Sequence, residues 1–130
     1  MFAKRESALW SLLRDNLKKE FLLTRIESVA TAGVPDVYVV DKATGTATWV
    51  ELKIVRGRKL NMGPEQVAWI LRHTNCGLNV KIVARKDNTI FLWPGSLVVE
   101  LVDKGIDVEG KKWSRPFDWT AISRTIREAS

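Results

Sequence analysis

The sequence predicts an α/β domain in which a central mixed sheet of about four to five strands is flanked by helices. Residues 7–19 carry apolar residues at helical spacing, which indicates an amphipathic helix. Short valine-rich runs with period-two alternation follow, and turn residues separate them. A second helical segment interrupts these runs at Pro64. The predicted order of elements is therefore α-β-β-β-α-β-β.

Length and composition favour one ordinary globular domain. The chain has 130 residues, of which 45% are hydrophobic and 28% charged. We expect residues 1–130 to form a single domain, with 96–130 as a C-terminal extension of unclear role. The sequence has no run of eighteen apolar residues and no apolar leader, so we expect neither a membrane span nor a signal peptide.

The reactive and charged residues narrow the class of protein. A single cysteine, Cys76, excludes an internal disulfide framework and fits a cytoplasmic location. A single histidine, His73, leaves no zinc constellation. The net charge of +6 favours a polyanionic partner, although a mildly basic protein without one is an equal alternative on charge alone.

The first helix carries an acid on its apolar face. Four apolar residues form the stripe, namely Leu9, Trp10, Leu13 and Leu17. At 100° per residue Glu6 lies on the same face, so it points toward the core side. The alternative is a first-turn glutamate that only complements the helix dipole.

The strands that follow are predicted from alternation and turn residues. We expect extended segments at 21–29, 36–41 and 47–55, with a loop at 31–35 and a hairpin turn at 42–46. After a basic loop, a helix runs from Pro64 to about Gly77, and strands follow at 78–84 and 89–93. Residues 96–102 fit a strand or a short helix, 103–119 are turn-rich, and 121–129 form a weak closing helix.

Charged residues inside two of these strands require a reason. Asp36 begins one strand after a Gly-x-Pro turn, and Glu51 and Lys53 share one face of the next. Adjacent strands are about 5 Å apart, so one acid from each strand can share a cation. Oxygen donors of this kind suit Mg²⁺ or Mn²⁺, while Lys53 can offset phosphate charge. The alternative is a salt bridge between Glu51 and Lys53 on a solvated sheet face, with Asp36 capping a turn.

These residues resemble the signature of the PD-(D/E)xK nuclease superfamily. Pro35-Asp36 matches its first part, and Glu51-Leu52-Lys53 its second. The wider context is similar to small phage and archaeal Holliday-junction resolvases and to the VRR-NUC group, over about residues 6–94. Gln66 resembles a glutamine that these groups place after the Glu-x-Lys strand. The resemblance implies a restriction-endonuclease-like fold and a metal-dependent phosphodiesterase.

The resemblance also implies roles for individual residues. Asp36 and Glu51 would bind Mg²⁺ or Mn²⁺, and Glu6, with Glu27 as the fallback, would complete the metal site. Lys53 and Gln66 would join them in catalysis. We expect DNA contacts from four basic residues, although the loop that holds three of them fits a plain solvated loop equally well: Arg25, Arg56, Arg58 and Lys59.

The leading hypothesis is a homodimeric endonuclease acting on branched DNA such as a Holliday junction, because two symmetric cuts need two active sites. Alternatives are a flap, nicking or replication-repair nuclease, a small restriction-like enzyme, or a catalytically silent DNA-binding domain of the same fold. We expect a cytoplasmic protein, and a phage-encoded origin, with action in the host cytoplasm, is one alternative.

Overall fold

A computed structural model describes residues 4–27 and 31–129 of the chain. Its helices are α1 (Lys4–Leu17), α2 (Pro64–Asn75), α3 (Val98–Lys104) and α4 (Trp119–Arg127). Its strands are β1 (Phe21–Arg25), β2 (Val37–Asp41), β3 (Ala47–Ile54), β4 (Asn79–Lys86), β5 (Thr89–Pro94) and β6 (Lys111–Ser114). Short 3-10 turns precede and follow α3, at Gly95–Leu97 and Gly105–Asp107.

The strands form one mixed sheet in the spatial order β1-β2-β3-β4-β5-β6. Only the β3–β4 pair is parallel among these strands, because α2 carries the chain back across the sheet between them. The prediction of a mixed α/β sheet flanked by helices is confirmed. The predicted number of four to five strands is wrong, because the described sheet has six.

The missed strand is β6, which lies in the segment expected to be turn-rich. It has four residues, most of them exposed, and it pairs with β5 at the edge of the sheet. Such a strand shows no apolar alternation, and its pairing partner lies about twenty residues earlier in the chain. Local sequence pattern therefore could not reveal it.

Each face of the sheet carries its own apolar core. On one face α1 and α4 pack against alternate residues of the strands, including Val50 and Leu52 of β3. On the other face α2 and α3 cover Trp49 and the neighbouring Ile82. Residues 49 to 54 of β3 therefore alternate between two covered faces, and any charged residue among them lies against a helix rather than in open water.

The C-terminal helix α4 packs into the core that it shares with α1. Asp118 caps α4 by accepting a hydrogen bond from the Ala121 backbone N–H at 3.0 Å, and the helix buries Ile122 and Ile126. Arg127 then forms an ion pair with Asp41 of β2 at 2.9 Å. The described residues 96–129 thus contribute to both faces of the sheet, with α3 on one face and α4 on the other.

Several predicted boundaries change in the structure. Helix α1 begins at Lys4, so Glu6 lies in its first turn, and β1 ends at Arg25 although we expected it to continue to Val29. Residues 28–30 of that expected strand lie outside the described residues. The ambiguous run at 96–102 forms a 3-10 turn and the start of α3. No helix in the described ranges combines the length and apolar character needed to cross a bilayer.

Candidate active site

The loop before β2 packs against the first turn of α2, just ahead of Asp36. Gly33 has φ of +86°, a conformation that strongly favours glycine, and a Cβ on it would stand 2.2 Å from the carbonyl oxygen of Glu65. Only glycine fits this close approach. The loop and α2 are therefore held together just before the chain reaches Pro35 and Asp36.

The strand register brings the two acids together. Val37 pairs with Val50 across the β2–β3 hairpin, so Asp36 lies next to Glu51 at the open end of the pair. The Asp36 carboxylate accepts a hydrogen bond from the Leu52 backbone N–H at 2.9 Å. That bond fixes the Asp36 side chain over β3, beside the Glu-x-Lys segment. Glu51 and Lys53 share one face of β3, as their alternation predicted, and both contact Gln66 of α2 on that face.

Gln66 joins the acid and the lysine. Its Nε2 donates to Glu51 Oε2 at 2.8 Å, and its Oε1 accepts from Lys53 Nζ at 3.0 Å. The same Oε1 accepts the Gly63 backbone N–H at 3.1 Å, which anchors the side chain at the start of α2. Lys53 Nζ also lies 3.3 Å from Glu51 Oε2. Both polar ends of Gln66 are thus used to orient the two charged groups.

This face of the sheet is not solvated. Glu51 is 1% exposed, so the alternative of a surface salt bridge does not describe it. Burial raises the pKa of Glu51 to about 8, and repulsion from Asp36 adds to the rise, while Lys53 opposes it. Within the described chain, Glu51 Oε1 is a buried oxygen without a hydrogen-bond partner. An acid buried with one free oxygen is suited to bind a cation.

Asp36 is electrostatically part of the same group. Burial raises the pKa of Asp36, the hydrogen bond from Leu52 lowers it, and the charge of Glu6 raises it. Glu6 raises the pKa of Glu51 as well. Three acids therefore repel one another at one end of the sheet, and a bound cation would relieve that repulsion.

The two candidates for the third acid differ in their surroundings. Glu6 is half-buried on α1 and interacts with both Asp36 and Glu51. Glu27 is exposed and forms an ion pair with Arg25 at 3.3 Å. The charges that perturb the site include Glu6 and not Glu27, which favours Glu6 as the third partner.

The donor set fits a hard divalent cation. In the described part of the chain, no three His, Cys, Asp or Glu side chains already stand close enough to form a metal cluster. Mg²⁺ commonly takes only one or two carboxylates and completes its shell with waters and substrate phosphate. Asp36 and the free oxygen of Glu51 meet that need, and Glu6 lies near enough to contribute charge.

The predicted DNA contacts divide into two groups. A cavity of about 750 Å³ opens beside Glu6, and Arg56, Arg58 and Lys59 all line it. Arg58 is paired there with Asp107, so part of its charge is neutralised. Arg25 lies away from this cavity, one strand beyond the site, and is paired with Glu27.

Sequence reasoning missed two arginines near the site. Arg5 lines the cavity together with Glu6, and Arg85 lines an adjoining cavity of about 460 Å³. The strand expected at 78–84 excludes Arg85, whereas β4 continues to Lys86. Arg85 continues the period-two alternation of Lys81 and Val83 along one face of β4, and this pattern in the sequence indicates that it belongs to the strand.

Comparison with known proteins supports the fold. No protein-family model matches the sequence, and no curated protein matches it. The structure is similar to Hjc, a Holliday junction resolvase from the archaeal hyperthermophile Archaeoglobus fulgidus, with a TM-score of 0.55, 14% identity, and coverage of 88% of this chain and 89% of that one. It is also similar to a VRR-NUC domain, with a TM-score of 0.54, 20% identity, and coverage of 78% and 97%. At these identities the likeness establishes the fold alone, and it confirms the predicted resemblance in fold to archaeal Holliday-junction resolvases and VRR-NUC domains.

Proposed function

We propose that this protein is a Mg²⁺- or Mn²⁺-dependent DNA endonuclease that cuts branched DNA, such as a Holliday junction, as a homodimer. The observation that carries the proposal is Glu51, which is 1% exposed, lies beside Asp36 and has one free oxygen. A buried carboxylate pair is costly unless it is neutralised by protons or by a cation. The fold adds support, because this constellation lies on a nuclease fold.

The side chains have separable roles in phosphodiester hydrolysis. Asp36 and Glu51 would hold the cation, with Glu6 as the third acid. A divalent cation held there would polarise the scissile phosphate and lower the pKa of a water that it binds. Lys53 would neutralise charge that develops on the phosphate. Gln66 would hold the side chains of Lys53 and Glu51 in position through its two hydrogen bonds.

Selectivity for branched DNA is the finer part of the proposal. The basic residues beside Glu6 (Arg56, Arg58 and Lys59) are suited to phosphate contacts, which favours recognition of shape and backbone. Paired cuts across a junction require two sites, and a twofold dimer supplies them. The structural neighbour Hjc, described as a Holliday junction resolvase, makes the junction the first substrate to test.

One assay tests both parts. The purified protein is incubated with labelled four-way junction, flap, nicked and linear duplex DNA, with Mg²⁺, with Mn²⁺ or with EDTA. We expect metal-dependent cleavage with the junction cut fastest. Equal cutting of all four would remove the branched-DNA selectivity but keep the nuclease, and preferred cutting of the flap would favour the repair-nuclease alternative. Tight binding without any cutting would instead identify a silent DNA-binding domain.

A further inference from the structure

Two adjoining cavities lie at one end of the sheet, and Glu6 of the proposed active site lines the first of them. They share Arg5, Ile54 and Arg56, so they form one surface. The second cavity extends this surface to Arg85 and Asp87 at the end of β4. The basic groups on it outnumber the acids, which are Glu6 and Asp87.

The sheet register sets the direction of this surface. Arg85 pairs with Ile54 across the parallel β3–β4 ladder, one residue beyond Lys53. Arg115 follows β6, and its backbone N–H donates to the carbonyl of Asn88 in the β4–β5 turn at 3.1 Å. Basic residues therefore extend from β3 across β4 to the segment that follows the edge strand.

An aromatic ring joins the last two arginines. The guanidinium carbons of Arg85 and Arg115 lie 5.9 and 5.5 Å from the centroid of the Phe117 ring, within the range of cation–π contact. Phe117 is itself half-buried against the apolar core, so the ring is a fixed support. The C-terminal segment thus holds two guanidinium groups close together on the surface.

Both of these charges lack an ion-pair partner among the described residues. Within the described chain, neither Arg85 nor Arg115 forms an ion pair with a carboxylate, although Arg85 donates a hydrogen bond to the carbonyl of Asp87 at 3.0 Å. Partial burial lowers the pKa of Arg85, and the nearby charge of Arg115 lowers it further. Like charges held together in this way are stabilised when an anion binds between them.

We propose that Arg85 and Arg115, supported by Phe117, bind backbone phosphates of one DNA arm away from the scissile phosphate. The inference rests on the proposed nuclease function and assigns part of its substrate surface to the C-terminal segment. Arg85 shares its face of the sheet with Val83 and Ile54, and Glu51 and Lys53 lie on the opposite face. The two arginines would therefore contact phosphates other than the scissile one.

The test compares Arg115→Ala with Arg124→Ala, which removes the same charge from an exposed position of α4 outside both cavities. Binding of a fluorescent four-way junction is measured in EDTA between about 50 and 200 mM salt. We expect Arg115→Ala to weaken binding about 3- to 10-fold and to reduce the salt slope by about one. Arg124→Ala should stay within about twofold of wild type.

Cleavage rates distinguish a failure of this inference from a failure of the proposed function. Because the phosphate contact is remote from the cut, Arg115→Ala should keep the single-turnover rate at saturating protein and lose only affinity. Wild-type affinity and salt slope in Arg115→Ala, or equal losses in both variants, would overturn the inference even if the wild-type protein cuts DNA. Failure of the wild-type protein to bind or cut any DNA would overturn the proposed function itself.

Discussion

The clearest physical consequence of the site is an inverted pH dependence of stability, which Glu51→Gln should remove. In the folded protein without metal, the pKa of Glu51 is about 8, against an ordinary value of 4.5. Between these values the folded chain binds more protons at this group than the unfolded chain does. The free energy of unfolding contributed by this group must therefore fall as the pH rises from about 4.5 to 8.

The structure sets the size of the effect. One pKa unit corresponds to about 1.4 kcal/mol, so the full shift sets an upper limit of about 5 kcal/mol. Lys53 and Gln66 stay beside the group and local relaxation reduces the cost of its charge, so we expect about 2–3 kcal/mol between pH 5 and pH 8. Glutamine is isosteric and keeps an acceptor for Gln66 Nε2.

Denaturant unfolding followed by tryptophan fluorescence, in EDTA at several pH values, measures this contribution. The stability advantage of Glu51→Gln over wild type should grow by about 2–3 kcal/mol from pH 5 to pH 8. The matched control is Asp103→Asn, an exposed acid on α3, whose difference from wild type should change by less than about 0.5 kcal/mol. Parallel pH curves for wild type and Glu51→Gln would refute a buried, repelled carboxylate at this position.

Three further substitutions test how the site and the fold are held. Gln66→Ala removes the amide that orients Lys53 and should lower the cleavage rate about 10- to 100-fold, with DNA affinity within about twofold of wild type. An unchanged rate in single-turnover assays would exclude this positioning role. Gly33→Ala should destabilise the fold by at least about 2 kcal/mol more than Gly45→Ala. Both glycines have positive φ, but of these two only Gly33 would bring an added Cβ within 4 Å of other backbone atoms. Equal losses in denaturant unfolding would contradict the close approach. Ile126→Ala, at 2% exposure, should cost about 2–4 kcal/mol in the same assay, and a cost below about 1 kcal/mol would show that α4 is not part of the core.

The centre of the site could be predicted from the sequence because its geometry is local. A short hairpin fixes which residues of β2 and β3 are neighbours, and period-two alternation then places Glu51 and Lys53 on one face. Gln66 follows because α2 packs on that face, one short connection later. Each step involves residues close in the chain.

The parts that sequence reasoning missed depend on contacts between distant segments. Strand β6 exists because β5 offers it an edge, and Arg115 reaches the basic surface only through that pairing. The pairing of Arg58 with Asp107 joins positions 49 residues apart, so no local pattern indicated that its charge is shared. The sequence indicates only a polar strand residue at Lys81. In the structure Lys81 is 2% exposed beneath α4, and its Nζ donates to the carbonyl of Glu128 at 2.6 Å.

The central claim is that Asp36 and Glu51 bind a divalent cation that supports the cutting of DNA. The most direct measurement is single-turnover cleavage of a four-way junction in Mg²⁺ by wild type, Glu51→Gln and the exposed-acid control Asp103→Asn. We expect Glu51→Gln to bind the junction normally and to lose at least about 10³-fold in rate, since the free carboxylate oxygen that would hold the cation is gone. Asp103→Asn should cut at the wild-type rate. Cleavage by Glu51→Gln at the wild-type rate would contradict the account, because the site would then lie elsewhere.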